Sequence, residues 1–411
     1  MSILRYVIIG NSAAGVGAVE GIRQIDQQGK ITIITDEPYH TYSRPLISYF
    51  LLGKVTEDSI KYRDNSFYTD NNCTLFCGVA VTKIEEETKT VSLSNGQSIQ
   101  YDKLLMATGS LAFVPPFKGL ETVKNKYIFM SLDDAHKLND ALNSESRVLI
   151  VGAGLIGLKC TEGILNRVKH ITVLDLAPRI LSSILDDEGA KLVQEHLENK
   201  GVEFKLGCNI ERFENDTAFL ENREKIDFDV LVIAVGVRPN TALLSDIADI
   251  DRGIVINKKS ETTVPDIYAA GDCTQTVDIS SGQKKIMAIL PNAYMQGEAA
   301  GINMAGGEKS FDKAIPMNAI GFCGLHMITA GNYTGEVYEE YNDKNYKRLF
   351  YSDNMLNGYI LIGNVAKAGI YTSLIRERTP LDTIDFKLIC EKPGLMAFSK
   401  EIRETKLGGG A

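Results

Sequence analysis

Two glycine-rich segments are the first candidates for chemistry in this sequence. Gly10-Asn11-Ser12-Ala13-Ala14-Gly15 and Gly152-Ala153-Gly154-Leu155-Ile156-Gly157 share one spacing, with a small residue at the first, third and sixth positions. In such a turn the first small residue makes a tight bend, the second lets the backbone approach a pyrophosphate, and the third lets the next helix pack on the strand. Amides at the helix start then hold the phosphate oxygens. An acid further along accepts hydrogen bonds from ribose hydroxyls. Asp36, with Glu37 beside it, follows Gly10 by 26 residues, and Asp175 follows Gly152 by 23; both are near the ~20 of this arrangement. The predicted chemistry is the binding of two dinucleotides. Ser12 stands where a second glycine is usual, which adds one hydroxymethyl group to the first turn.

Each turn needs a strand before it and a helix after it. Tyr6-Val7-Ile8-Ile9 and Val148-Leu149-Ile150-Val151 are short apolar runs of the kind a buried parallel strand shows. Helix-like segments follow, to Gln28 and to about Arg167, and then second strands, Ile31-Thr32-Ile33-Ile34 and Ile171-Thr172-Val173-Leu174. Two β-α-β units are therefore predicted. Ala107-Thr108-Gly109 and Ala234-Val235-Gly236 each end an apolar strand in small residues, as a chain crossing close to a cofactor requires. Asp272 follows an apolar run and two small residues, where an acid is better explained by a hydroxyl partner than by the core. Pro291-Asn292-Ala293 precede a helix-like stretch, whose N-terminus would favour negative charge.

Other chemistries find little support. The seven cysteines (Cys73, Cys77, Cys160, Cys208, Cys273, Cys323, Cys390) are scattered and contain no C-x-x-C. Neither a disulfide framework nor zinc or iron-sulfur ligation is expected from them. Cys73, Cys77 and Cys323 read as buried strand thiols, and the five histidines (His40, His136, His170, His196, His326) show no metal spacing. A net charge of -9, from 44 basic and 53 acidic residues, argues against nucleic acid as a partner. No apolar stretch reaches the ~20 residues of a membrane span, and the start of the chain lacks the pattern of a secretory signal, so a cytoplasmic location is expected. At 411 residues, two or three domains are expected.

With these segments in order, the chain resembles the FAD-dependent pyridine nucleotide oxidoreductases over essentially its whole length. Within them it is similar to the branch of rubredoxin and ferredoxin reductases, NADH oxidases and nitrite-reductase-like flavoproteins. The matching runs, beyond the two glycine turns, are Tyr101 to Ser110, Ala234-Val235-Gly236-Val237-Arg238-Pro239-Asn240 and Thr262 to Asp272. The resemblance implies an α/β chain with two Rossmann-like, doubly wound three-layer domains and a C-terminal α+β interface domain. It places an FAD domain in residues 1–112 and 236–310, an NAD domain in 113–235, and the interface domain in 311–411. It implies FAD contacts from Gly10, Ser12, Ala13, Ala14, Gly15, Asp36, Glu37, Arg44, Pro45, Ala80, Ala107, Thr108, Gly109, Gly271, Asp272, Pro291, Asn292 and Ala293. For NAD(H) it implies Gly152, Gly154, Leu155, Ile156, Gly157, Asp175, Ala234, Val235 and Gly236. Arg44 would contact the pyrophosphate, Pro45 the isoalloxazine and Asp272 the ribitol.

The region Tyr42 to Tyr49 separates this chain from relatives that carry a redox-active cysteine there. It has none, so electrons must leave the flavin directly. Related ferredoxin reductases have a lysine where Tyr49 stands and a glutamate where Lys159 stands. Lys159 is expected either to hydrogen-bond the nicotinamide carboxamide or to pair with another acid near the flavin. No side chain is assigned as a catalytic acid or base. Asp175, followed by Leu176-Ala177-Pro178 with Arg179 as the nearby base, favours NADH over NADPH, because a carboxylate repels a 2′-phosphate.

The expected reaction is hydride transfer from NADH to FAD, followed by electron transfer to a rubredoxin, a ferredoxin or an iron-sulfur subunit. A peroxide-forming NADH oxidase, a flavoprotein subunit of a larger complex and a flavin-bearing sensor are the rival readings. A homodimer or a complex subunit is the expected state of assembly. Lys344, Lys347 and Arg348, or Arg376 and Arg378, are candidate docking cations. The C-terminal module, from about Phe311, reads as strands at Met327 to Ala330, Lys347 to Tyr351 and Gly358 to Ile362, followed by helices. Its last residues, Lys406 to Ala411, are expected to fray.

Overall fold

The computed structural model describes residues 3–342 and 345–407. Lys344 and the terminal residues 408–411 lie outside the described residues. The chain forms two compact units, one built from the residues up to Ser182 with Glu198–Thr276 and Lys284–Asp312, the other from Ser183–Leu197, Val277–Gln283 and the chain from Lys313 onward.

The first unit begins with β1 (Arg5–Ile9), α1 (Ala13–Ile25) and β2 (Lys30–Ile34), followed by the short α2 (Ile47–Leu51), β3 (Cys73–Phe76), β4 (Lys103–Met106) and β5 (Ser110–Ala112). β1 pairs in parallel with both β2 and β4, Val7 lying opposite Thr32 on one side and Leu104 on the other. Central parallel strands are covered on both faces, which is why Tyr6 to Ile9 form an unbroken apolar run rather than an alternating one. α1 ends at Ile25, short of Gln28, because Asp26 turns to an extended conformation and its carboxylate accepts the Gln28 and Gly29 amides.

A second parallel sheet follows: β6 (Lys126–Tyr127), α3 (Leu132–Ala141), β7 (Arg147–Val151), α4 (Leu155–Ile164) and β8 (His170–Asp175). α3 is started by a capping box, with Ser131 accepting from the Asp134 amide and Asp134 returning the bond. After α5 (Asp187–Glu198), most of which belongs to the other unit, come β9 (Val202–Leu206) and β10 (Val230–Ile233). The sheet order is β9-β8-β7-β10-β6, all parallel.

β11 (Val237–Pro239) then pairs antiparallel with β5, and β12 (Ile267–Ala269) joins the first sheet beside β4. The second sheet is thus an insertion, left through β5 and re-entered through β11. α6 (Leu290–Met304) returns to pack along α1.

The second unit is an antiparallel sheet of β13 (Met317–Phe322), β14 (Leu325–Gly331), β15 (Glu336–Asn342), β16 (Asn345–Ser352) and β17 (Met355–Ile362), in the order β13-β14-β17-β16-β15, with α7 (Ala368–Glu377) packed on it. Within this unit Asp186 accepts from Tyr346 at 2.8 Å and from Arg348 at 2.7 Å, so Arg348 is spent on an internal pair.

Two thiols depart from the expected strand positions. Cys77 lies just past β3 and is exposed, while Cys323 sits in the β13–β14 turn, where it and Gly324 both have positive φ (49° and 91°). That two-residue turn, with both central residues left-handed, is the type that matches strand twist in a hairpin. Among the described residues no helix is long and apolar enough to cross a membrane, and no group of three or more His, Cys, Asp or Glu could hold a metal ion.

Candidate functional site

The first glycine turn is held by close backbone contacts and by the Tyr68 hydroxyl, which donates to the Asn11 side chain at 2.8 Å. Gly10 (φ 116°) donates to the Ile34 carbonyl at 2.8 Å, and a Cβ on it would lie 2.1 Å from the Ala107 oxygen. A Cβ on Gly15 would lie 2.2 Å from the Gly10 oxygen, so only glycine lets α1 start this close to the strand ends. Ser12 occupies the N-cap of α1 without a capping side-chain hydrogen bond. The first amides of α1 therefore face outward with the positive end of the helix dipole behind them.

α6 reaches the same place through an interlock of small residues. Added Cβ atoms on Gly297 and Gly301 would meet the Ala14 and Ala18 oxygens at 2.0 and 2.2 Å, and on Gly17 and Gly21 the Tyr294 and Glu298 oxygens at 2.3 Å. The two helices lie backbone to backbone, which brings Ala14, Gly271 and Ala293 together: a Cβ on Gly271 would lie 3.1 Å from Ala14 and 3.6 Å from Ala293. Gln296 completes the junction by accepting the Gly271 amide at 2.7 Å and the Thr274 hydroxyl at 3.1 Å. Three segments distant in sequence thus converge at one point. Sequence reasoning missed Gln296, although Gly17-x-x-x-Gly21 and Gly297-x-x-x-Gly301 were visible as matched small-residue stripes.

A cleft beside the turn is lined by Asn11, Ser12, Thr35, Glu37, Tyr39, His40, Tyr42 and Arg44. Glu37 lines it, whereas Asp36 is exposed and does not. Glu37 accepts from the Tyr42 hydroxyl at 2.5 Å and pairs with Arg44, whose guanidinium also donates to the Met130 carbonyl at 3.2 Å. Pro45 is exposed beyond Arg44. Thr108 donates to the Asn240 carbonyl at 2.6 Å, which ties the small-residue crossing to β11. Ala80 is exposed, exchanges hydrogen bonds with Ser94, and does not line the cleft.

Asp272 follows Gly271 (φ 83°), and burial pushes its carboxyl from an ordinary 3.8 up to about 6, against the opposing pull of Arg44 and a Ser110 hydrogen bond. A partly desolvated acid, two helix N-termini and a cradle that any Cβ would fill together fit the flavin dinucleotide. In the flavin-free chain, Asp272→Asn is expected to raise the melting temperature at pH 7–8 and to confer no advantage near pH 4. The unfolded carboxyl loses its proton before the folded one does, so stability falls as pH rises from the ordinary value to the folded one; the loss is complete above it. Melting curves of both proteins between pH 4 and 8 check this.

The second turn repeats the first. A Cβ on Gly152 (φ 114°) would lie 2.3 Å from the Ala234 oxygen, and one on Gly157 would lie 1.9 Å from the Gly152 oxygen. Gly154 has nothing within 4 Å of its Cβ position, so the space above the turn is open. Leu155 and Ile156 begin α4. The Asp175 carboxylate accepts the Ala153 amide at 2.6 Å and the Ala177 amide at 2.8 Å, which fixes it at the lip of the turn. Val235 and Gly236 (φ 119°) carry the chain past the turn, and the Gly236 carbonyl accepts the Phe113 amide at 2.9 Å.

The two halves meet where α2 packs on α4. A Cβ on Gly163 would lie 3.0 Å from the Ser48 oxygen, and Arg167 donates to the Leu51 carbonyl at 3.0 Å. Between them Lys159 places its ammonium 4.3 Å from the centre of the Tyr49 ring and pairs with Glu162, one turn along α4. Lys159 is thus ion-paired with Glu162, an acid that escaped the sequence reading.

The pyridine nucleotide-disulphide oxidoreductase family matches residues 4–297, and the rubredoxin NAD+ reductase C-terminal domain matches residues 316–379. The chain is 30% identical over 412 residues to the NADH-dependent phenylglyoxylate dehydrogenase subunit epsilon of Aromatoleum evansii, covering 97% of both. It is 30% identical to the nitrite reductase [NAD(P)H] of Bacillus subtilis over 92% of this chain, but spans about half (48%) of that relative. The putidaredoxin reductase–putidaredoxin complex has the same fold, with a TM-score of 0.88 over the whole chain at 22% identity.

Proposed function

The chain belongs to the pyridine nucleotide-disulphide oxidoreductase family, and on that premise we propose that it oxidises NADH and delivers the electrons to an iron-sulfur or rubredoxin-type protein. It is an oxidoreductase with FAD and NAD(H) as cofactors. The observation that carries the reading is the pair of like glycine turns, each closed against a small-residue crossing, within a unit whose halves touch at α2 and α4.

We assign FAD to the first turn and NADH to the second, within modules of residues 1–112 with 236–310 and 113–235. FAD, when bound, accepts a hydride at N5 and can release electrons singly. The residues that hold it would be Gly10, Ser12 to Gly15, Glu37 and Arg44, with Ala107 to Gly109, Gly271, Asp272 and the Pro291–Ala293 start of α6. Asp272 accepts hydroxyl hydrogen bonds, and the amides of α1 and α6 supply positive potential where anionic groups gather. Gly152 to Gly157 hold the second diphosphate, and Asp175 disfavours a 2′-phosphate. The region Tyr42 to Tyr49 holds no thiol, so it offers no disulfide or sulfenic-acid relay. Seven free cysteines support a reducing compartment, the cytoplasm.

A second reading has its own support: the relative matched over 97% of both chains is named as a subunit. This chain would then serve as the NADH-oxidising flavoprotein of a larger assembly. One experiment, reduction without dioxygen followed by mixing with protein acceptors or with dioxygen, tests both. NADH bleaches the flavin, NADPH does so at least tenfold more slowly, and mixing with reduced-flavin acceptors restores the spectrum. Reoxidation by rubredoxin or a ferredoxin far faster than by dioxygen supports the reading. Turnover only with dioxygen overturns it in favour of an oxidase, and turnover only beside co-purified metal-containing chains selects the subunit.

A further inference from the structure

Of the cations singled out in the sequence, Lys347 and Arg348 are held internally, Lys347 by Glu340 and Arg348 by Asp186 and Glu339. The pair on α7 differs. Arg376 stands in the last turn of that helix and Arg378 just past it, with a φ of 49° where a helix end ordinarily carries glycine. Arg378 is exposed and donates to the Ile279 carbonyl at 3.2 Å, while the Ile279 amide donates to the Ala314 carbonyl at 2.9 Å. One loop residue thus joins Arg378 to the segment that carries the exposed Lys313, and all of them lie in the second unit. None of Lys313, Arg376 and Arg378 has an acid partner among the described residues. The acids beside them are otherwise engaged: Asp278 is fully buried and accepts from the Ser280 and Ser281 hydroxyls at 2.6 and 2.7 Å, and Glu377 accepts from Ser373 at 2.7 Å. Val277, at the start of the same loop, is 46% exposed and adds apolar surface.

We propose that Lys313, Arg376 and Arg378, with Val277, form the docking surface for the acidic face of a small electron-carrying protein. This deepens the reading that electrons leave for a protein acceptor, and it rests on that reading. A chain of net charge -9 repels an acidic carrier as a whole, so a local patch of opposite sign is needed to orient its approach. Cations left without acids in a chain where acids are in excess fit that need. Val277 follows Asp272 by five residues, a span of at most about 18 Å, so docking at this loop keeps the carrier near the assigned flavin site.

The test compares Lys313→Glu/Arg378→Glu with Lys118→Glu/Lys124→Glu, which changes the net charge equally at two other exposed lysines. Each flavin-loaded full chain is reduced by NADH without dioxygen and mixed with an acidic rubredoxin or an acidic plant-type ferredoxin. At low ionic strength the second-order rate constant for reduction of the carrier that wild type serves is expected to fall roughly tenfold in the first variant, and by no more than about threefold in the second. The difference is expected to fade at about 0.5 M salt, where exposed charges are screened, while flavin reduction by NADH keeps its wild-type rate. Equal losses in the two variants would make the effect one of net charge and overturn the proposal, as would an unchanged rate in the first variant or a loss that salt does not relieve. A wild-type chain that reduces neither carrier would instead overturn the acceptor reading itself.

Discussion

Gly157→Ala is expected to leave the flavin content of the protein unchanged and to slow flavin reduction by NADH about a hundredfold. A Cβ at this position lies 1.9 Å from the Gly152 carbonyl oxygen, a backbone atom that cannot rotate away. The start of α4 must move outward by more than an ångström, and close-packed interiors resist such shifts. The amides assigned to the diphosphate move with it. Overpacking of this kind costs about 1–3 kcal/mol of stability, so the melting temperature falls modestly as well. Gly154→Ala is the informative control. Its φ of -83° suits any residue, and no atom lies within 4 Å of the added methyl, so stability is expected to hold. The methyl occupies the space over the turn that a pyrophosphate approaches, and NADH affinity is expected to fall. Stopped-flow reduction across a range of NADH concentrations separates the two: Gly154→Ala raises the half-saturating concentration, whereas Gly157→Ala also lowers the limiting rate. If Gly154→Ala binds NADH normally, the second turn is not the nicotinamide dinucleotide site.

Both glycine turns were legible because their constraints are local. Gly10 and Gly152 take φ values of 116° and 114° between a strand and a helix that announce themselves by apolar runs. The insertion of the second sheet was legible too, through the family runs at Ala107 and Ala234 that bracket it. What stayed hidden depends on atoms far apart in the chain. Glu37, not Asp36, faces the cleft because β2 ends at Ile34 and the chain then turns to bring Tyr42 and Arg44 onto the second acid; spacing alone cannot choose between neighbours. Gln296 closes on Gly271 only because Gly297 and Gly301 let α6 lie against Ala14 and Ala18. Cys323 was read as a strand thiol because its neighbours are apolar, yet Gly324 beside it makes that dipeptide the hairpin turn. Arg348 looked available for docking, but Asp186, 162 residues away, holds it.

Lys159 and Glu162 form the pair whose disruption is expected to matter most for stability. Their side chains are only 12% and 7% exposed. Helix energetics alone would not choose this arrangement. A cation in the first half of α4 opposes the dipole, and lysine N-terminal to glutamate is the weaker order for a helical pair. Removing one partner leaves the other charge buried, so Lys159→Met or Glu162→Leu is each expected to cost roughly 3–5 kcal/mol. The double variant, which buries no charge, is expected to recover most of that loss, because a buried pair adds little over apolar side chains of similar volume. This recovery makes the double variant the useful protein for kinetics. Its ammonium is gone while its fold is intact, and the Tyr49 ring has lost the cation 4.3 Å from its centre. If Lys159 serves the nicotinamide or the flavin, the stable double variant reduces its flavin at least tenfold more slowly than wild type, and Tyr49→Leu shares part of that defect through the lost cation–π contact. Wild-type rates in the double variant would make the pair a packing device between α2 and α4, and the hydride step would then depend on backbone positioning alone.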